Sequence, residues 1–302
     1  MINEDLLQRA ESGDLVALAE LDAQGLLLGA EESLADYATR LRRLQANVAK
    51  MDGELTSGGT YTVEDITVER DQRIPPAVFV EPRAITQRLF DFAIDWVPGF
   101  FITPPGILFG GCSYYFFPDF FALFTIRRAF AEKERWLIYR RTELLAHELC
   151  HIARIGLGSY EYEEVFAYRT SGSRFRRAIG GIFRSPSDSY SFLGSAFLIL
   201  LARLAQIARF PSLPQWPFWL PFLAVMAYHF GRHTLTMRRL DRARRQLAPV
   251  CGEHTEAVLF RCTDPDIHML AEPQDRESIE AWVEAQDSWR WQVIRHRFLS
   301  PA

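Results

Sequence analysis

His147-Glu148-Leu149-Cys150-His151 is the stretch whose residue types and spacing can do chemistry. Two histidines four apart share one face of a helix, so both imidazoles can hold a single ion. Leu149 then points the opposite way, toward a core, while Glu148 flanks the histidine face and can reach a water on the ion without ligating it. Leu144, Leu145, Ile152 and Ile155 give this helix an apolar back, and Gly156 and Gly158 mark its end. Three protein ligands and one open position are the mark of a catalytic metal site, so a third ligand is required. A second helix follows, with Ser159 as its expected cap and an end near Gly172, and it carries Glu161, Glu163 and Glu164.

HExxH followed by a second helix bearing E-x-x-A resembles the gluzincin class of zinc metallopeptidases, in which that helix supplies a glutamate ligand with a small residue three places later. Glu164-Val165-Phe166-Ala167 fits the pattern, whereas Glu163 has Phe166 at the third place. The resemblance therefore implies His147, His151 and Glu164 as ligands of Zn2+, with Glu163 as second choice. Glu164 follows His151 by 13 residues, as in compact members of the class, and the likeness covers roughly Tyr114 to Arg169. It implies a zinc-dependent peptidase that hydrolyses peptide bonds through a metal-activated water, with Glu148 as general base. Tyr168, four residues after Glu164, is the first candidate for stabilising the oxyanion; the alternative is a partner that orients a ligating histidine. Tyr160, Tyr162, His229 and His233 are weaker candidates for that role. The resemblance further implies a zincin-like core: a small sheet with an edge strand, the HExxH helix and the glutamate helix. The aromatic segment Phe120 to Arg128 is expected to be that edge strand, pairing with an extended substrate, or else a core strand.

Neighbouring residues carry bland expectations. Glu143, four before His147, could orient its ring but more simply lies on a solvated helix surface. Arg154 is expected to pair with an acid, and Cys150 to pack as a small buried hydrophobe. No third histidine follows in an HExxHxxGxxH arrangement. Glu132, Lys133, Glu134, Arg135, Arg140, Arg141 and Glu143 surround the motif, so its helix cannot lie in lipid. The membrane-bound CAAX-type gluzincins place apolar spans between the two helices, whereas here the apolar segments follow both. Gly110 and Gly111 form no phosphate-binding fingerprint, and His254, His268 and His296 lack ligand spacing.

The elements that must position the motif are mostly helical. With 302 residues, 48% hydrophobic and 24% charged, the chain can bury a core and is not of disordered composition. Four cysteines without a CxxC pair exclude a cysteine-rich zinc module and a disulfide scaffold. The acidic start excludes a secretory signal peptide, and a net charge of −4 argues against nucleic acid as a partner. That charge is unevenly placed: Arg169 to Arg245 holds thirteen arginines against two acids, Asp188 and Asp241. Within it lie two apolar runs, Ser191 to Ala208 and Trp216 to Phe230, joined by a short loop with two prolines. Arginines flank the pair on both outer sides, so the runs are expected to form a transmembrane helical hairpin with both flanks cytoplasmic. A buried hairpin in a soluble core is the alternative.

The expected organisation is α+β and predominantly helical: an N-terminal helical region (1–56), a zincin-like metallopeptidase core (57–189), the hydrophobic hairpin (190–233) and a C-terminal helical region (234–302). The expected partners are a peptide or protein substrate and, through residues 190–233, membrane lipid, with the catalytic region facing the cytoplasm. A non-proteolytic zinc-binding membrane scaffold is the alternative reading.

Overall fold

The structure is a computed structural model and describes residues 3–103, 109–116 and 121–299. Pro104, Pro105 and Gly106 of the loop-rich stretch, and Phe120 at the start of the expected edge strand, lie outside the described residues.

Three N-terminal helices open the chain: α1 (Glu4–Glu11), α2 (Leu15–Ala23) and α3 (Leu34–Gly58). Each has a side-chain cap, from Asn3, Asp14 and Ser33, which accepts hydrogen bonds from the first free amides. After Gly59 comes a hairpin: β1 (Thr60–Val63) turns at Glu64 and Asp65 into β2 (Ile66–Glu69). Helix α4 (Val80–Phe90) stops earlier than its apolar pattern suggests, because Asp91 takes a left-handed conformation and caps it.

The sheet that matters for the site has three strands, β3 (Gly99–Ile102), β4 (Gly111–Phe116) and β5 (Phe121–Arg127), in the order β3-β5-β4. β5 is central, parallel to β3 and antiparallel to β4. Its alternation sends side chains to two faces. Ala122, Phe124 and Ile126 enter the main core, whereas Phe121 and Leu123 pack with Met51, Leu55, Tyr61 and Val68 on the other face. The expectation of an edge strand at Phe120 to Arg128 is thus corrected for the described residues: β5 is the core strand of the alternative, buried on both faces, and β3 and β4 are the edges.

A two-residue ladder, β6 (Arg135–Trp136) with β7 (Tyr139–Arg140), leads into α5 (Arg141–Arg154), which carries both histidines. A short 3-10 turn ends at Gly158, whose φ of +60° is the left-handed geometry glycine adopts without strain. Then come α6 (Glu163–Tyr168), α7 (Arg174–Ile179), α8 (Pro186–Ala208) and α9 (Trp216–Cys251). Four short helices complete the chain: α10 (Thr255–Arg261), α11 (Asp264–Ala271), α12 (Arg276–Glu284) and α13 (Trp289–Phe298).

The main core joins distant parts of the chain. Leu145, Leu149 and Ile152 of α5 and Phe166 of α6 pack in one cluster with Phe260, Ile267, Trp291 and Ile294. Phe90, Phe166 and Phe260 form a ring cluster with centroids 4.3–6.0 Å apart, and burying each such ring contributes roughly 1.5–3 kcal/mol. Buried ion pairs tie the ends together: Asp22 of α2 meets Arg261 at 2.8 Å and also pairs with Arg297.

Helix α9 serves two environments. Its C-terminal half sends Leu240, Ala243, Leu247 and Cys251 into the main core at helical spacing. Its N-terminal half packs against α8 and, near His229 to His233, against the segment before it, and α8 buries only Asp188, Ser195 and Ala202, seven residues apart. Leu193, Phe197, Leu200, Leu204 and Ile207 of α8 and Trp219, Leu220 and Leu223 of α9 are exposed. Helix α8 is the one described helix long and apolar enough to cross a membrane, and only 11% of its most apolar stretch is buried.

Candidate metal centre

Helix α5 brings the two imidazoles together edge-on, their planes 76° apart and their Nε2 atoms 3.1 Å apart. Helix α6 lies across them. Glu164 places one carboxylate oxygen 3.6 Å from His147 Nε2 and the other 3.5 Å from His151 Nε2. One donor atom from each of the three residues falls within 4.8 Å of the others, and this is the one such histidine–carboxylate group among the described residues.

Glu163 does something different. Arg154 donates to one of its oxygens at 2.7 Å, and the other sits 3.6 Å from His151 Nδ1, the ring nitrogen turned away from Glu164. A carboxylate on the far nitrogen fixes the ring's tautomer and direction. Arg154 is itself fully buried and donates to Ser159 at 3.0 Å and to the carbonyls of Cys262 and Phe260. The guanidinium also lies over the Phe166 ring at 4.7 Å. So a chain of contacts runs from the C-terminal region through Arg154 and Glu163 to His151.

Asp264 adds a second brace. Its carboxylate accepts from the amides of Tyr160 and Glu161, both at 2.9 Å, and from Ser159. Ser159 therefore does not cap α6, contrary to expectation; its hydroxyl is spent on Asp264 and Arg154, and Tyr162 precedes the helix with no side-chain cap. Glu161 turns away from the histidines to His268 and Thr236, both at 2.7 Å.

Burial and charge act together on the donors. Burial, together with the neighbouring His151 and Arg176, holds His147 well below the usual imidazole range. Burial also disfavours a charged His151, but the hydrogen bond to Glu163 and the charges of Glu164 and Glu148 outweigh it and push that ring up to about 9. Burial raises Glu164. Three carboxylates, Glu148, Glu163 and Glu164, stand around the two imidazoles, with Arg154 paired to Glu163 and Arg176 close enough to act on His147. Two imidazole nitrogens and one carboxylate oxygen form a donor set suited to zinc, so the residues fit the ion that the motif implies.

A cleft of about 960 Å³ opens over this face, lined by His147, Glu148, His151, Glu164 and Tyr168, by β4 from Gly111 to Ser113, and by Arg184 and Pro186. Glu148 is 6% exposed and accepts a hydrogen bond from the Ser113 hydroxyl. Cys112 also lines the cleft, but burial and the nearby Glu148 push its thiol up to about 11, so it is no thiolate nucleophile.

Tyr168 packs its ring edge-on against His147 at 4.7 Å. Gly180 lies directly over that ring: a Cβ built there would stand 2.1 Å from Tyr168 Cγ. Of the weaker tyrosine and histidine candidates, Tyr160 lines the cleft. Tyr162 is fully buried against His268. His233 bonds the Ala178 carbonyl and His229 faces Ser191, so neither belongs to the cleft lining. Glu143 neither reaches His147 nor lies in solvent: it accepts from Ser171 at 2.8 Å and from Arg176 at 3.4 Å. Cys150 is buried in the main core.

Ser113, Asp264 and Gly180 carry no sequence signal for their roles. Asp264 is separated from the loop it holds by about a hundred residues, and a lone serine after two glycines has no motif. Comparison with protein-family models, curated proteins and solved structures found no match for this chain.

Proposed function

We propose that this protein is a zinc-dependent peptidase tethered to the membrane, with a zincin-like core in which α5 and α6 carry the ligands and β4 is the edge strand. The observation that carries the reading is the convergence of His147, His151 and Glu164 at the floor of a cleft that Glu148 also lines. His147 and His151 would hold the zinc from α5 and Glu164 from α6, while Glu163 keeps His151 aimed. A zinc ion held by these residues would supply Lewis acidity, polarising a peptide carbonyl and lowering the pKa of a water toward about 7.

Glu148 takes one proton from the attacking water as its oxygen bonds to the carbonyl carbon. The C–N bond then breaks with its electron pair going to nitrogen, and Glu148 returns the proton to that amine. The Ser113 hydroxyl holds one Glu148 oxygen and leaves the other for the water. Tyr168 is the proposed donor to the carbonyl oxygen. The side of β4 that faces no other described strand offers backbone groups to an extended peptide, by addition of a strand.

The hairpin of α8 and α9 is the proposed tether. Its apolar side chains face outward, and the chain on either side is rich in arginine, which supports a cytoplasmic-facing catalytic region. The test pairs two measurements on purified protein. Glu148→Gln should keep about one zinc by elemental analysis and lose at least ~100-fold in hydrolysis of a peptide library. Unchanged hydrolysis would remove Glu148 as base, and a wild-type protein that holds zinc but cuts nothing would favour the scaffold reading.

A further inference from the structure

We infer that the substrate is the cytoplasmic segment of an integral membrane protein next to its membrane span, cut close to the bilayer surface. The inference rests on the peptidase and tether readings above and adds the substrate class. It comes from where the cleft ends. The same cavity that holds His147 and Glu148 is bordered by Arg184 and by Pro186, the first residue of α8. The first strongly exposed leucine of that helix is Leu193, seven residues on, which at 1.5 Å per residue is about 10 Å. A bilayer that surrounds the exposed apolar side chains of α8 and α9 therefore has its headgroup layer at the cleft mouth.

The cleft cannot swing away from that surface, because the segment between α6 and α8 is tied to α6 at one end and to α9 at successive points. Gly180 sits on Tyr168, His233 holds the Ala178 carbonyl at 2.8 Å, and Arg232 holds the Ile182 carbonyl at 3.0 Å. Arg232 also binds Asp188 at 2.6 Å, Asp188 accepts from the Arg184 amide at 2.8 Å, and the Arg184 side chain reaches Thr236. These contacts fix the height of the metal-binding residues above the tether.

A cavity of 960 Å³ is roughly 10 Å across, and an extended chain advances about 3.3 Å per residue. A segment leaving the bilayer beside α8 thus reaches Glu148 within about ten residues. Such a segment is supplied at high effective concentration by its own anchor, whereas a soluble peptide is not.

Two experiments on the full chain in liposomes test this. The first measures depth. Fluorophores on Ser187→Cys, at the foot of the hairpin, and on Tyr160→Cys, at the cleft, are exposed to lipids carrying a headgroup quencher, with the unsubstituted chain as background. Both should be quenched, within about twofold of each other. Quenching at 187 without quenching at 160 would overturn the inference and leave the tether standing; no quenching at 187 would bring down the tether reading and the inference with it.

The second uses zinc-loaded protein and a single-span helix followed by a randomised tail of about twenty residues. Cuts should cluster in the first ten or so, and the same tail, freed or set behind a long Gly/Ser spacer, should be cut at least ~10-fold more slowly. Equal cutting of free and anchored tails would overturn the proposal. No cutting of any form would instead sink the peptidase reading on which it rests.

Discussion

The molecule holds two pairs of histidines four residues apart on a helix, and only one pair converges. His147 and His151 bring their Nε2 atoms to 3.1 Å, with Glu164 across both and Glu163 behind. His229 and His233 have the same spacing on α9, yet they point to separate partners. His229 meets Ser191 at 3.2 Å and Arg232 at 3.4 Å, while His233 is committed to the Ala178 carbonyl. Spacing puts two rings on one face in both places; the neighbours decide what the rings do. Around the first pair stand three carboxylates in a cleft. Beside the second stands Arg232, which would repel a cation, and its nearest acid, Asp188, already belongs to that arginine.

The contrast can be broken most sharply at Glu164, the proposed third ligand. Glu164→Ala should take zinc content from about one per chain to none by elemental analysis, while His233→Ala leaves it unchanged. Zinc retained in Glu164→Ala would place the ion elsewhere. The next largest effect is expected at the brace. Arg154→Met strands the half-buried Glu163 and the carbonyls of Phe260 and Cys262, and removing the buried partner of such a pair costs about 3–5 kcal/mol in denaturant unfolding. A loss under about 1 kcal/mol would mean that the pair does not hold the two parts of the core together.

Glu163→Gln separates the supporting carboxylate from the ligating one. Zinc stoichiometry should stay near one while affinity falls by about 10–100-fold in a chelator competition. If stoichiometry fell to zero, Glu163 and not Glu164 would be the ligand. The smallest change is expected at the second pair: His233→Ala removes one hydrogen bond to Ala178, worth about 1 kcal/mol of stability, and shifts zinc affinity not at all.

What could be read from the sequence followed from local periodicity. The helix bearing both histidines, its apolar back at Leu145, Leu149 and Ile152, and the two apolar helices each repeat with a helical period and so declare themselves. The strands were less legible. Tyr114 to Phe130 is one aromatic run in sequence but two strands in space, and nothing in a run of buried aromatic residues tells a central strand from an edge. The supports of the site were not legible at all. Glu143 looks like a surface acid until Ser171 and Arg176 are folded onto it, and Asp264 looks like a helix-start residue until its carboxylate is seen holding the Tyr160 and Glu161 amides. Such pairings join residues far apart in the chain and leave no periodic trace.

The brace at Arg154 also sets an order of events. The histidines and both glutamates leave the ribosome before the hairpin, but the carbonyls of Phe260 and Cys262 that receive the Arg154 guanidinium leave it about a hundred residues later. Until then the Arg154 guanidinium has Glu163 and Ser159 but lacks its two carbonyl acceptors. The full set of contacts behind His151 is therefore completed only once the hairpin has been made and the residues after it have folded against α5.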